Sequence, residues 1–226
     1  MKPVLLVVCG DPSDAIRAEL GGYDAMFARA LDLPTETADA RVAPLPDPSN
    51  YSAVVVSGSS SGVHEEAPWM REAARWLRSH DLPTLGVCFG HQLLAYAWGG
   101  VVRPAVPEYG VVEVEIVQDD PLFDGLGPRL SAFEAHFDAV VQVPEGARVL
   151  ARTDRAVQAL AFGPKVRGVQ FHPEFAPVVL SDALERRELA LDALDPGLTE
   201  RARGSLRELP GMRRVLENFR EFFVLS

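Results

Sequence analysis

A chain of 226 residues that is 47% hydrophobic and 24% charged has the composition of a folded protein with a sizeable core. Its 22 basic side chains are outnumbered by 32 acidic ones, for a net charge of −10, which argues against a nucleic-acid groove or an anionic membrane surface as the main partner. Two cysteines are too few for a disulfide scaffold and no CxxC or HExxH spacing offers a metal site, so a reducing cytoplasm is the expected location.

The first stretch, "MKPVLLVVCGDPSD", sets a short apolar run behind one lysine and lacks a small-residue cleavage pattern. Residues 4–8 are therefore expected as a buried strand, not a signal or a membrane span. "AVVVSG" (53–58) and "PTLGVC" (83–88) read as two further buried strands. Between them, "WMREAARWLRSH" (69–80) repeats Met70, Ala73, Ala74 and Leu77 at helical spacing. "FGHQLLAYAW" (89–98) predicts a short apolar helix stopped by Gly99 and Gly100. Buried strands alternating with helices predict an open, mostly parallel α/β sheet covered by helices on both faces.

The second half changes character. In "VVEVEIV" (111–117), Val112, Val114 and Ile116 alternate with Glu113 and Glu115. "AVVQV" (139–143), "RVLAR" (148–152) and "AVQALAF" (156–162) follow at short intervals, which predicts a small antiparallel extension beside the main sheet. "KVRGVQFHPE" (165–174) returns to a buried strand with a polar end, and 181–223 is helix-rich and charged, with "LENFREFF" as the closing helix. Nothing repeats and no low-complexity linker interrupts the chain, so a single domain over 1–226 is expected.

The chemistry centres on Cys88 in "GVCFGHQ" (86–92). Sites in open α/β sheets form outside the carboxyl ends of the strands. Cys88 stands there as the last residue of its strand, with a helix beginning directly after it. Aligned peptide dipoles at a helix N-terminus favour a thiolate. Gly86 and Gly90 on either side permit a sharp turn of the nucleophile-elbow kind. His172 in "QFHPE" also ends an apolar strand; Pro173 is expected to hold its backbone extended, so that His172 and Glu174 point to the same side. A cysteine, a base and a carboxylate that orients the base make an activated nucleophile.

"GVCFGHQ" followed by "GVQFHPE" resembles the class I glutamine amidotransferases, the family with a Cys-His-Glu triad. Supporting stretches are "VVVSGSSSGV", "EYG" (108–110), "DPLFDGL" (120–126) and "AHFD" (135–138), so that the resemblance runs to about residue 175. It is strongest to stand-alone proteins similar to the amidotransferase half of GMP synthetase. The family implies a flavodoxin-like layering and a reaction in which the cysteine attacks the side-chain amide of glutamine, ammonia leaves, and water hydrolyses the γ-glutamyl thioester. By that resemblance Cys88 is the nucleophile, His172 the base and Glu174 its orienter. Phe89 supplies one backbone donor of the oxyanion hole, and the loop "SGSSSG" (57–62) supplies the other, from Gly58 or Ser59. Gln92 and the segment carrying His136, Phe137 and Asp138, taken as a loop, match residues that hold the substrate.

Two positions depart from the family pattern. Gly58-Ser59-Ser60 stands where many relatives have Gly-Gly-Pro, and Ala135 replaces a polar residue before His136. The implied activity is a glutaminase or amidotransferase without cofactor or metal, acting on glutamine or another γ-glutamyl compound and releasing ammonia to an acceptor or a separate synthetase subunit. On the same fold, a γ-glutamyl peptidase is the alternative, and a regulatory protein that kept the site is a third. Elsewhere, Cys9 is expected as a buried hydrophobe within the first strand, His80 as a helix-end contact, His64 as an exposed loop residue, His91 as a packing residue, and "LERRELALD" (184–192) as a solvated helix face.

Overall fold

The computed structural model describes residues 2–226. In chain order the elements are β1 (Val4–Val8), α1 (Asp14–Leu20), α2 (Tyr23–Leu31), β2 (Thr35–Asp39), β3 (Ala53–Val56), α3 (Pro68–Leu77), β4 (Thr84–Val87) and α4 (Phe89–Ala97). There follow β5 (Val101–Ile116), β6 (Arg129–Gln142), β7 (Arg148–Arg152), β8 (Val157–Ala161), β9 (Val166–Val169), α5 (Pro177–Leu194), α6 (Leu198–Ser205) and α7 (Arg213–Phe219), the last running on into a wider turn over Arg220–Val224.

All nine strands join one sheet in the order β2-β1-β3-β4-β9-β8-β7-β5-β6. Pairing is parallel from β2 to β9 and antiparallel from β9 to β6. The antiparallel strands therefore continue the main sheet, not a separate layer: Ala159 of β8 registers against Val169 of β9. The sheet's middle strands are buried on both faces because alternate residues feed two cores. Val4 and Leu6 meet Phe27 and Leu31 of α2 and Leu216 and Phe219 of α7. Leu5 and Val7 meet Met70, Ala73 and Leu77 of α3 and Leu93 and Leu94 of α4. A third cluster joins α5 and α6 to the β5–β6 hairpin through Tyr109, Phe133, Leu180, Leu184 and Leu198.

Three expectations change. The edge strand β2, "TETAD", has no apolar pattern because only one neighbour and little core face it. Residues 135–138 are not a loop: they lie inside β6, where His136 registers opposite Glu108 and Ala135 opposite Tyr109. Their polarity hides the strand, since Glu134, His136 and Asp138 occupy inward positions that a pattern reader assigns to hydrophobes. Cys9 lies just beyond β1, fully buried, and burial pushes its thiol pKa far up. No helix is long and apolar enough to cross a membrane among the described residues.

Candidate active site

β3, β4 and β9 are consecutive neighbours and all run the same way, so their carboxyl ends open on one edge of the sheet. Each delivers one part of the site: the loop 57–62 after β3, Cys88 after β4, and His172 after β9. The strand order thus brings together segments that are far apart in the chain.

Cys88 is the N-cap of α4, one step past the end of its strand, with φ 52° and ψ −106°. A side chain rarely adopts such a conformation, and holding it costs about 1–3 kcal/mol. The surroundings enforce it. The Cys88 N–H donates to the Val169 carbonyl at 2.8 Å, and its own carbonyl accepts from Gln92 N–H at 3.1 Å. Both flanking glycines are required by space: a Cβ on Gly86 would stand 2.4 Å from the Gly90 carbonyl oxygen, and one on Gly90 would stand 2.4 Å from the Val56 carbonyl oxygen. The turn is sharp because the start of α4 lies flat against β3 and β4.

His172 is anchored by its N–H to the Phe133 carbonyl at 2.9 Å and by face-to-face stacking on Phe175, with ring centroids 3.8 Å apart. Its Nδ1 lies 2.8 Å from Glu174 Oε1. The backbone does not stay extended as expected. Residues 172–175 form a turn in which Phe175 N–H donates to the His172 carbonyl at 3.4 Å, and this turn, not strand alternation, brings Glu174 back to the imidazole. Burial pulls the His172 pKa down, but the charges of Glu174 and Cys88 outweigh it and push it up to about 10. Nδ1 therefore carries its proton toward Glu174, leaving Nε2 for the Cys88 side.

Gly58 touches both groups: a Cβ there would stand 3.0 Å from His172 Cε1 and 3.8 Å from Cys88 Cβ. Among the described residues, the backbone N–H groups of Gly58, Ser59 and Phe89 donate to no protein acceptor. The loop is braced from below, where Cys9 N–H donates to Ser57 Oγ at 2.9 Å and Ser61 N–H to Ser59 Oγ at 3.1 Å.

Two clefts meet at Cys88. One is walled by Ser59, His64, Gln92, Phe137, Asp138 and Arg187; the other runs past His172 toward Tyr23, Asp182 and Arg186. Gln92 is buried, and its amide donates to the Asp138 carbonyl at 2.9 Å and to Gln170 Oε1 at 3.1 Å, so it fixes the cleft wall as well as lining it. Asp138 Oδ2 lies 2.8 Å from His64 Nδ1, which ties the exposed loop histidine to the cleft. His136 sits behind the wall. Its Nδ1 faces the Asp138 carbonyl at 3.0 Å, and its Nε2 lies 3.4 Å from Glu108 Oε2 and 3.3 Å from Glu134 Oε2, as an ion contact without hydrogen-bond alignment. Burial opposes its charge, but the two carboxylates prevail and push its pKa up to about 10.

His91 packs against Gly168, and burial drives its pKa down to about 3. His80 is no carbonyl cap: its Nδ1 accepts from Leu82 N–H at 3.3 Å and its ring meets the Trp76 edge. No group of three or more metal-binding side chains occurs among the described residues. The charged run 184–192 is not wholly a solvated face, because Arg187 enters the cleft. That residue and Tyr109 are the cleft members not singled out from sequence. The available signal was periodicity: Arg187 falls on the same helical stripe as Leu180, Leu184 and Leu191.

Residues 29–190 match the model of the family "Glutamine amidotransferase class-I". The chain belongs to that family. This class I glutamine amidotransferase is 41% identical over 134 residues to a stand-alone subunit of the glutamine-hydrolyzing GMP synthase of Saccharolobus solfataricus, a match covering 58% of this chain and 71% of the relative. To the glutamine-hydrolyzing GMP synthase of Thermomicrobium roseum it is 37% identical over 171 residues, covering 72% of this chain but 32% of the relative. A glutamine amidotransferase from Thermotoga maritima of known structure superposes with a TM-score of 0.72 at 24% identity, over 98% of this chain and 99% of that one, and shares the fold. The protein is an enzyme of the amidotransferase class, and its open, mostly parallel sheet is that of the family.

Proposed function

We propose that this amidotransferase hydrolyses the γ-amide of glutamine through a thioester on Cys88 and passes ammonia to a separate synthetase subunit. The observation that carries the reading is the strained strand-to-helix turn at Cys88, with His172 and Glu174 held against it. Cys88 Sγ gives up its proton to His172 Nε2 and bonds to the amide carbon, and the carbonyl electrons move onto oxygen. The unengaged N–H groups of Phe89 and of Gly58 or Ser59 receive that charge. Collapse breaks the C–N bond, and the His172 proton goes to the nitrogen, which leaves as ammonia. Water then gives a proton to His172 and attacks the thioester, and glutamate departs as the C–S bond breaks. Glu174 keeps the imidazole in the required tautomer throughout. Gln92, His136, Phe137 and Asp138 shape the pocket for the amino-acid end. His136 acts from behind the wall by holding the Asp138 backbone.

The partner reading rests on relatives that are themselves named as one subunit of a GMP synthase, and on the Thermomicrobium roseum chain, of which this protein covers only 32%. The test is glutamate and ammonia release by purified protein, alone and with the synthetase subunit of a GMP synthase. Stimulation by the partner supports the assignment; no glutamine turnover in either case rejects it. The cleft beside His172 favours a second reading, because ammonia alone needs no such space. Under that reading the enzyme is a γ-glutamyl peptidase, and turnover of γ-glutamyl peptides far exceeding that of glutamine would establish it.

A further inference from the structure

α5 places Leu180, Leu184, Arg187 and Leu191 along one stripe at steps of four, three and four residues. The three leucines are fully buried, and Leu180, Leu184 and Leu191 pack in one cluster with Tyr109 and Phe133. The fourth position of this inward stripe is a guanidinium. A charge turned toward a core is unfavourable unless something pairs with it. Neighbouring cations on the surface of the same region are paired: Arg186 with Asp182 at 2.9 Å, and Arg203 with Glu188 at 2.9 Å. Arg187 has no carboxylate at ion-pair distance among the described residues. Instead its guanidinium stands 5.5 Å from the centre of the Phe137 ring and lies beside Tyr109. It lines both clefts, at the place where they meet around Cys88.

In a chain of net charge −10 with acidic groups in abundance, this cation is held apart from them and turned to the reacting centre. A planar guanidinium is matched to a carboxylate, which it binds through two parallel N–H donors. We propose that Arg187 receives a carboxylate of the substrate and is a specificity-determining residue. The inference rests on the γ-glutamyl reading above and adds to it the group that recognises the substrate's negative end. That carboxylate has two sources: the α-carboxylate of the glutamyl part, or one carried by the leaving amine in the cleft beside His172.

The experiment compares wild type with Arg187→Met, which keeps the apolar stem over Phe137, and with Arg187→Lys, which keeps the charge but not the fork. Substrates come in matched pairs: glutamine against its α-amide, and γ-glutamylglycine against γ-glutamylglycinamide. The expected result is a fall in kcat/KM of about ten- to hundredfold, carried mainly by KM, on the carboxylate member of one pair and little change on its amide. Arg187→Lys restores part of it. A loss confined to the glutamine pair assigns the α-carboxylate, and one confined to the glycine pair assigns the leaving group. Equal losses on both members of each pair, or none, overturn the proposal. If wild type turns over none of the four compounds, the γ-glutamyl reading fails separately. Arg187 is then read from Cys88 alkylation by iodoacetate relative to iodoacetamide. Arg187→Met lowers that ratio if the guanidinium draws carboxylates to the thiol, and an unchanged ratio overturns the proposal.

Discussion

Glu174 reaches His172 across two residues: its Oε1 lies 2.8 Å from His172 Nδ1, inside a turn that leaves Glu174 Oε2 buried without a partner. The carboxylate's task is therefore confined to the imidazole. Glu174→Gln is expected to lower kcat by about ten- to hundredfold, since the amide orients the ring without stabilising its charge. It should also lower the His172 pKa, because Glu174 is the largest influence holding it up against burial. Titration of the His172 ring by NMR checks this; an unmoved pKa would show that Cys88 alone sustains the charge.

Cys88→Ala is expected to abolish turnover while retaining the positive φ that strains the turn. Cys88→Gly should be equally inactive yet more stable than Cys88→Ala by about 1–2 kcal/mol, because glycine adopts φ near 52° without a Cβ penalty. Urea denaturation of the two variants decides. A glutamine-like diazo-ketone should label Cys88 and spare the fully buried Cys9, whose thiol pKa burial raises.

Gly90→Ala would drive a Cβ to 2.4 Å from the Val56 carbonyl oxygen, and backbone atoms cannot swing aside as a side chain does. A loss of about 1–3 kcal/mol is expected, together with a fall in activity, since moving the start of α4 moves Cys88 and Phe89 with it. A Gly90→Ala protein with native stability and full turnover would show that the helix can shift without disturbing the turn.

His136, with its pKa raised to about 10 in the folded protein against 6.5 when free, binds a proton in the native state that the unfolded chain releases between those values. Its contribution to stability is thus complete below about pH 6.5 and is lost as the pH rises through about 10. His172 titrates with the same sign. Denaturation midpoints measured from pH 6 to pH 10 should decline, and His136→Gln should make the decline shallower while lowering stability at neutral pH. An identical slope in wild type and variant would remove His136 from the account.

The sequence by itself determined the strands 4–8, 53–56 and 84–87, because residues buried on both faces of a parallel sheet leave uninterrupted apolar runs. It determined the chemical types as well: a thiol between glycines, and a histidine two residues before a carboxylate. Local sequence carries such signals wherever neighbours along the chain are also neighbours in space. Tertiary structure decided the rest. The parallel adjacency of β3, β4 and β9, invisible to any local pattern, put Gly58 against both Cys88 and His172. The strand character of 135–138 was hidden because its inward side chains are polar, and they are tolerated there only because Glu108, Glu134 and His136 neutralise one another across the β5–β6 pair. Arg187 read as part of a solvated helix face because a charge in isolation looks exposed. Only the packing of α5 on the β5–β6 hairpin turned it toward the cleft, since burying the stripe of Leu180, Leu184 and Leu191 fixes the rotation of the whole helix.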